Sequence, residues 1–167
     1  QLSLARLTFV SKLEEPATPA DCSLVAIFSV LQRVLHRIPA ERVRDKIRFS
    51  SPQIAFQKKD GCLEASILLH TLLRTARDEA RPIAMAFPDI SKAFDSVPHD
   101  TILRCARKRG LPSPLVRYLT RLYRDSLTIW DDVSVECRRG VRQGDPLSPA
   151  LFIMATNEFL SYAQPEL

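Results

Sequence analysis

The chain has 167 residues, of which 46% are hydrophobic and 26% charged, and a formal net charge of +5. This balance excludes a disordered chain and suits one soluble globular domain. No apolar run approaches the roughly 20 residues that cross a bilayer, so we expect no membrane partner. The excess of basic residues favours a polyanionic partner over an acidic one.

The four cysteines carry no metal-site signature. They are Cys22, Cys62, Cys105 and Cys137. They lie about 30 to 40 residues apart, without a Cys-x-x-Cys pair and without histidines at zinc-ligand spacing. We therefore expect reduced, mostly buried cysteines and an intracellular protein. Because Gln1 follows neither an initiator methionine nor a signal-peptide pattern, we expect a fragment of a longer product.

In the first third of the chain, the pattern predicts a strand over residues 4–13, a loop over 14–20 and a helix over 23–41. The helix is predicted to end near Ile38 or to kink, because Pro39 interrupts its hydrogen bonds. Its apolar residues at helical spacing predict the face that packs on the core: Val30, Leu31, Val34, Leu35 and Ile38.

The next segment gives the clearest helix signal. Residues 60–79 open on Asp60, a good N-cap, and carry one apolar stripe expected to face the core. The stripe consists of Leu63, Ile67, Leu68 and Leu72. Residues 83–87 are all apolar and predict a short strand buried on both faces, although Pro88 is awkward at a strand end.

The last part of the chain alternates helices with one hairpin. A helix is predicted over residues 100–109, ended by Gly110, and a second opens at Ser113-Pro114. Residues 127–130 and 133–137 predict a β-hairpin, and Ser148-Pro149 predicts the start of the last helix.

Asp89 is the first candidate site residue, because it follows the apolar run of residues 83–87. Nucleotidyl transfer needs oxygen ligands for two Mg²⁺ ions about 3.5–4 Å apart. The carboxylate of Asp89, helped by the carbonyl of Ile90, is suited to such ions. The alternative is that Asp89 only caps the turn that follows.

Phe94 and the 140–149 segment supply further candidates. The ring of Phe94 can lie under a nucleotide sugar and exclude a 2′-hydroxyl; the alternative is a core aromatic. Gln143 and Gly144 combine a side-chain amide with a backbone free of a side chain, suited to close contact with a base and sugar. Arg142 brings positive charge to the same edge, as a phosphate contact requires. An ordinary basic loop before a capped helix is the alternative.

At these two segments the chain resembles a known family. D-I-S-K-A-F-D-S-V (89–97) and R-G-V-R-Q-G-D-P-L-S-P-A-L-F (139–152) resemble reverse transcriptases of non-long-terminal-repeat retrotransposons, particularly the site-specific elements of arthropod ribosomal DNA. F-V-S-K (9–12), Q-I-A-F-Q-K-K-D-G-C (53–62) and R-G-L-P-S-P-L-V-R-Y-L (109–119) extend the resemblance over nearly the whole chain.

The resemblance implies roles for single residues. Asp89 would be the catalytic metal ligand and Phe94 the sugar gate. Gln143 and Gly144 would contact nucleotide and template, and Lys12 would lie near the triphosphate. Such enzymes copy their own RNA into DNA from a nicked DNA target, with deoxynucleoside triphosphates as substrates and Mg²⁺ as cofactor.

Departures from the family pattern limit the expectation. The family's later aromatic-Ala-Asp-Asp turn, which supplies the other metal carboxylates, does not occur before Leu167, and residues 23–25 replace its usual Arg-Pro-Ile block. We therefore expect the isolated chain to lack polymerase activity. The alternatives are a non-catalytic nucleic-acid-binding remnant and a decayed copy that does not fold stably.

Arg117, Arg121 and Arg124 recur at helical spacing on one predicted helix, opposite Leu115, Leu119 and Leu122. This stripe is suited to a nucleic-acid backbone. An ordinary solvated helix face is the equal alternative.

The expected fold is α+β: the fingers and an incomplete palm of a right-hand polymerase, with a small antiparallel sheet packed against helices. Residues 1–80 are expected to form the fingers-like part and residues 81–167 the partial palm. The expected partners are an RNA template, a DNA primer or target and deoxynucleoside triphosphates. The parent element is expected in the nucleus and the cytoplasm.

Overall fold

The computed structural model describes residues 5–18, 21–50, 53–130 and 133–163. Four strands and six helices follow one another in these ranges. In chain order they are β1 (Ala5–Ser11), β2 (Cys22–Ile27), α1 (Val30–Lys46), α2 (Gly61–Asp78), α3 (Ala93–Ser96), α4 (His99–Lys108), α5 (Ser113–Arg124), β3 (Leu127–Trp130), β4 (Val133–Glu136) and α6 (Ser148–Ala163).

The strands form one sheet in the order β2-β1-β3-β4. The pairs β1–β2 and β3–β4 are antiparallel, whereas β1 and β3 run parallel, with Ala5 opposite Thr128. The α+β class is confirmed. The sheet is mixed rather than wholly antiparallel. Its two hairpins, β1–β2 and β3–β4, join through β1 and β3, and these two strands can run parallel because helices connect them along the chain.

The helix predicted over residues 23–41 starts later in the structure, at Val30. Residues Cys22–Ile27 form β2, since pairing with β1 along six residues satisfies the backbone groups on one edge of this strand. The Ser29 side chain then caps α1 by accepting a hydrogen bond from the Gln32 N–H at 3.2 Å. Pro39 lies inside α1, which continues to Lys46, so the helix does not end near Ile38.

The buried face of α1 is also not the predicted one. It consists of Gln32, His36, Ala40 and Val43, spaced four, four and three residues apart. The large apolar residues predicted to face the core are exposed: Val30, Leu31, Val34, Leu35 and Ile38. The polar buried face is possible because His36 has hydrogen-bond partners at both ring nitrogens.

Helix α2 forms where it was predicted, with the Asp60 side chain accepting a hydrogen bond from the Leu63 N–H at 3.0 Å. None of its residues is buried, however. The stripe expected in the core is exposed along its whole length: Leu63, Ile67, Leu68 and Leu72. Periodicity therefore identified the helix correctly but not its surroundings.

The buried strand predicted over residues 83–87 is wrong. Residues 81–90 have no regular secondary structure and are exposed, with Phe87 at 76% of its full accessibility. A strand needs a hydrogen-bonding neighbour, and no strand of the described ranges pairs with this segment.

The remaining predictions for the second half are confirmed. Helix α4 ends at Lys108, with Gly110 in the left-handed region (φ +69°), and α5 and α6 open at Ser113 and Ser148. Strands β3 and β4 pair as the predicted hairpin, whose turn at residues 131–132 lies outside the described residues.

The main core lies where α4, α5 and α6 pack around the second half of α1. Its fully buried side chains include Ala40, Ile102, Leu119, Leu147 and Met154. A smaller cluster of Ala5, Ala26 and Phe28 lies on the sheet. No helix in the described part of the chain is long and apolar enough to span a membrane.

All four cysteines are free in the structure. Only Cys105 is buried, and Cys62 on α2 is exposed. The expectation of mostly buried cysteines is therefore wrong, and Cys62 shares the exposure of the whole of α2.

Truncating Leu119 tests the position of the core. Leu119 is completely buried, so Leu119→Ala should lower the free energy of unfolding by about 2–5 kcal/mol through lost burial and a cavity. The matched control Leu68→Ala, at a side chain that is 61% exposed on α2, should change it by less than about 0.5 kcal/mol. Urea unfolding of both variants gives the comparison, and equal losses would contradict this core assignment.

Candidate functional site

The two sequence motifs meet through their backbones. The Val141 N–H donates to the Phe94 carbonyl at 2.7 Å, and the Gly140 N–H donates to the Val97 carbonyl at 2.7 Å. The carbonyl of Gly140 in turn lies 3.0 Å from Nε2 of His99. Segments more than 40 residues apart in sequence are thus joined at one edge of the helical core.

His99 strengthens this junction as a neutral side chain. Its ring stacks on Tyr123 with centroids 4.1 Å apart and planes 20° apart. Burial lowers the pKa of His99, against the opposing effect of the Gly140 hydrogen bond. A neutral imidazole protonated at Nε2 donates to the Gly140 carbonyl, so this contact needs no charged group in the core.

Phe94 lies partly buried in an aromatic cluster. Lys92 adopts a left-handed conformation (φ +48°) and starts the single-turn helix α3, which carries Phe94. The ring of Phe94 lies 4.8 Å from that of Phe152 and 6.0 Å from that of Phe56, between centroids. Phe94 therefore packs as a core aromatic in this structure, and its role as a sugar gate stays a prediction.

The predicted metal ligands are open to solvent. Asp89 and Ile90 lie in the exposed 81–90 segment, and Lys12 is exposed directly after β1. No three acidic, histidine or cysteine side chains among the described residues come close enough to hold a metal ion. Asp89 can therefore offer one ligand, and the residues placed here do not make a complete metal centre.

Residues 140–148, called here the 140–148 loop, contact β2. The Ala26 N–H donates to the Gln143 carbonyl at 2.7 Å. Gly144 has φ +104°, and a Cβ added there would lie 2.5 Å from the Ala26 carbonyl oxygen. Only a residue without a side chain allows this close approach, which places the Gln143–Gly144 turn flat against the sheet edge.

Arg142 is engaged by the protein. Its Nη2 donates to the Ser126 hydroxyl at 2.6 Å and to the Leu127 carbonyl at 3.1 Å. Its guanidinium also lies 5.6 Å from the centroid of the Phe28 ring. Burial lowers the pKa of Arg142, with Cys137 and Asp145 among the groups that oppose this shift. These contacts anchor the loop, and the predicted phosphate contact of Arg142 is not tested by them.

A buried polar network anchors the other side of the loop. Asp145 accepts hydrogen bonds from His36 Nδ1, at 2.7 and 2.8 Å from its two carboxylate oxygens, and from the Leu147 N–H at 2.8 Å. His36 Nε2 lies 2.5 Å from the Tyr118 hydroxyl. His36 is 1% exposed and Asp145 7%, so this contact between α1 and the loop is desolvated, whereas Tyr118 on α5 is 41% exposed and closes the network at the surface.

The contact with Asp145 assigns one proton in this network. A carboxylate only accepts, so His36 carries a proton on Nδ1 and donates it to Asp145. Burial and the Asp145 charge raise the pKa of Tyr118, so Tyr118 stays a neutral phenol, whose hydroxyl can donate to Nε2 or accept from it.

The predicted arginine stripe is exposed on α5. Arg117, Arg121 and Arg124 point to solvent, while Val116 and Leu119 form the buried face of the helix. The Arg124 Nε pairs with the Asp125 carboxylate at 3.0 Å, so part of its charge is locally balanced. The stripe is available to a polyanion, and its function stays a prediction.

Sequence reasoning did not identify His36, Tyr118 or Asp145 as parts of the site. A signal was present in α1, since Gln32, His36 and Ala40 recur every fourth residue and form a narrow polar and small face. The larger number of apolar residues on the opposite face concealed it. Gln32 differs from His36 on the same face, because its buried side-chain amide has no hydrogen-bond partner among the described residues.

Comparison with known proteins adds a family match. Residues 18–166 match the family described as "Reverse transcriptase (RNA-dependent DNA polymerase)". The chain is also similar to curated Pol polyproteins of R2 retrotransposable elements. It is 33% identical over 165 residues to a type-1 protein from Popillia japonica, 40% over 146 residues to one from Nasonia vitripennis, and 33% over 171 residues to a type-2 protein from Drosophila melanogaster.

These alignments cover most of the chain and little of each relative. They include 95%, 83% and 99% of this chain but 23%, 14% and 16% of the three relatives, in the same order. The chain therefore spans less than a quarter of the length of these proteins.

Adding a methyl group to Gly144 tests the close packing of the turn. Gly144→Ala combines a strained φ with overlap on the Ala26 carbonyl, and each effect costs roughly 1–3 kcal/mol of unfolding free energy. The control Gly110→Ala also has positive φ, but nothing lies within 4 Å of its added Cβ, so it should cost about 1–2 kcal/mol. Urea unfolding compares them, and a smaller loss at position 144 than at position 110 would contradict the docked turn.

Proposed function

Because the chain belongs to the reverse transcriptase (RNA-dependent DNA polymerase) family, we propose that its parent protein copies retrotransposon RNA into DNA by two-metal nucleotidyl transfer. The chain itself is a fragment of an RNA-directed DNA polymerase related to R2 Pol polyproteins. The observation that carries the proposal is the junction of the two motifs, where the backbones of Phe94 and Val97 bond to those of Val141 and Gly140.

The proposed roles belong to residues that lie at the junction or next to it in the chain. Asp89 lies five residues before Phe94, on the segment that leads into the junction, and would supply one metal-binding carboxylate with help from the Ile90 carbonyl. Phe94 would limit space at the sugar. Gln143 and Gly144 would contact the nucleotide and the template, and their exposure to solvent supports this role.

Divalent metal ions serve polymerases of this family, and we propose Mg²⁺, with two ions in the complete enzyme. The ions would supply electrostatic stabilisation of the transferring phosphate. The described residues contribute Asp89 alone, so the other carboxylates would come from the acidic turn that the family resemblance implies further along the parent chain. The 167-residue chain alone should therefore be inactive.

The proposed partners are an RNA template, a DNA primer or target, and deoxynucleoside triphosphates. Lys12, exposed at the end of β1, would lie near the triphosphate. Residues 1–80 would act as the fingers-like part and residues 81–167 as part of the palm. Copying RNA into a chromosomal target would place the parent protein in both the cytoplasm and the nucleus.

One observation favours a second candidate, a non-catalytic nucleic-acid-binding module. Arg117, Arg121 and Arg124 lie exposed on one helix, and together they can follow a phosphate backbone without any metal centre. Binding of this kind would be independent of Asp89. The two candidates therefore predict different effects of the same substitutions.

Primer extension tests the polymerase proposal. In the parent protein with Mg²⁺, an RNA template and a DNA primer, Asp89→Asn should lower incorporation at least about a hundredfold, because a carboxylate at the reacting centre cannot be replaced by an amide. The control Asp78→Asn, at an exposed carboxylate on α2, should leave the rate unchanged. The 167-residue chain alone should incorporate nothing. Equal rates for both variants would refute the role of Asp89.

Charge reversal on α5 tests the binding surface. Replacing Arg117, Arg121 and Arg124 by Glu should weaken binding of a labelled RNA–DNA duplex and reduce the slope of log affinity against log salt by roughly 2 to 3, since each lost phosphate contact removes about one released counterion. Fluorescence anisotropy of the 167-residue chain measures both quantities.

A control of equal charge change uses exposed arginines of α1 and α2, replacing Arg33, Arg74 and Arg77 by Glu. This variant should keep most of the slope of log affinity against log salt, because a general loss of positive charge is not sufficient to remove the phosphate contacts of α5. Equal losses in the two triple variants would favour the ordinary solvated helix face.

A further inference from the structure

We propose that His36 is a positioning residue for template–primer binding, acting through Asp145 to hold the Gln143–Gly144 turn in place. The role at the substrate rests on the proposed function. The positioning itself concerns only this chain and can be tested without any substrate.

The turn is held between two supports. On one side the Ala26 N–H bonds to the Gln143 carbonyl, and Gly144 lies against the Ala26 carbonyl. On the other side Asp145, the residue that follows the turn, is bonded to His36. A shift of Asp145 would therefore move the turn away from β2 or rotate it.

Asp145 depends on His36 for its place. The carboxylate is almost completely buried, and the contacts it receives in the described part of the chain are His36 Nδ1 and the Leu147 N–H. The Leu147 N–H belongs to the same loop and moves with it. His36 is thus the partner that ties the carboxylate to another element, and a buried carboxylate without such a partner is unfavourable.

His36 is itself held by its own helix and by Tyr118 of α5. It lies on the buried face of α1 with Ala40 and Val43, its Nε2 meets the Tyr118 hydroxyl, and its ring stands edge-on to that of Tyr118 at 5.7 Å between centroids. Tyr118 adjoins Arg117 on α5. The same network therefore relates the turn to the helix that carries the proposed backbone-binding arginines.

His36 acts through another residue, because neither ring nitrogen is free to reach a substrate. Nδ1 bonds to Asp145 and Nε2 to Tyr118. Side chains with their polar atoms fully used inside the protein position other groups. A purely stabilising role would predict a general loss of stability without a specific change at the turn.

The first readout is hydrogen exchange of the Ala26 amide in the 167-residue chain. This amide bonds to Gln143, whereas that of Val25, the neighbouring residue of β2, points to the opposite edge of the strand, towards β1. In His36→Leu the Ala26 amide should exchange at least about tenfold faster relative to Val25, the ratio expected when one charged buried hydrogen bond no longer holds the turn.

Two further variants separate positioning from stability. His36→Asn keeps a side-chain N–H near the place of Nδ1 and should restore the Ala26 to Val25 ratio to within about threefold of the unmodified chain. Asn157→Leu removes another buried polar group, which accepts hydrogen bonds from the backbone and hydroxyl of Ser50 at 2.8 Å. It should destabilise the chain without changing that ratio.

The second readout is the affinity of the same variants for a labelled RNA–DNA template–primer duplex, measured by fluorescence anisotropy. His36→Leu should weaken binding at least about fivefold, and His36→Asn should restore it, since the turn regains its place. An unchanged Ala26 to Val25 ratio in His36→Leu, or a changed ratio with unchanged affinity, overturns the proposal. An unmodified chain that binds no duplex refutes the binding function, and the exchange ratio still decides the positioning.

Discussion

The structure depends on the burial of one carboxylate, that of Asp145, against His36. This contact joins a loop to α1 across more than a hundred residues of sequence and, through Tyr118, to α5. A buried acid is tolerated only with hydrogen-bond partners, so the loop cannot take another position without a large loss of free energy. The flat Gln143–Gly144 turn and its contact with Ala26 follow from that constraint.

The same contact explains why α1 has its polar side inward. Burying His36 requires the adjacent Ala40 and Val43 to face the core, and this turns Leu31, Val34 and Leu35 outward. Helix α2 likewise exposes its apolar stripe, although its sequence has the period of a core helix. Polar satisfaction can therefore decide the orientation of a helix that hydrophobic periodicity alone would place the other way.

Local sequence signals were sufficient to predict those elements whose hydrogen bonds are made between neighbours in sequence. The Asp60 cap, the Ser113-Pro114 start and the hairpin of β3 and β4 involve neighbours in sequence, and they were predicted correctly. Residues 22–27 and 83–87 depend on partner strands, whose presence or absence the sequence does not reveal, and both were predicted wrongly. At the site, the parts played by His36 and Tyr118 required the tertiary structure, because their contacts join residues far apart in sequence.

The parallel pairing of β1 with β3 has a consequence for the order of folding. Ala5 cannot meet Thr128 until nearly four-fifths of the chain exists, whereas the β3–β4 hairpin closes over a few residues. Contacts of such long sequence separation form slowly, because the intervening chain must first lose its freedom. During synthesis on the ribosome, the β1–β2 hairpin must therefore wait with its β1 edge unpaired, and an unpaired strand edge can recruit another chain and aggregate.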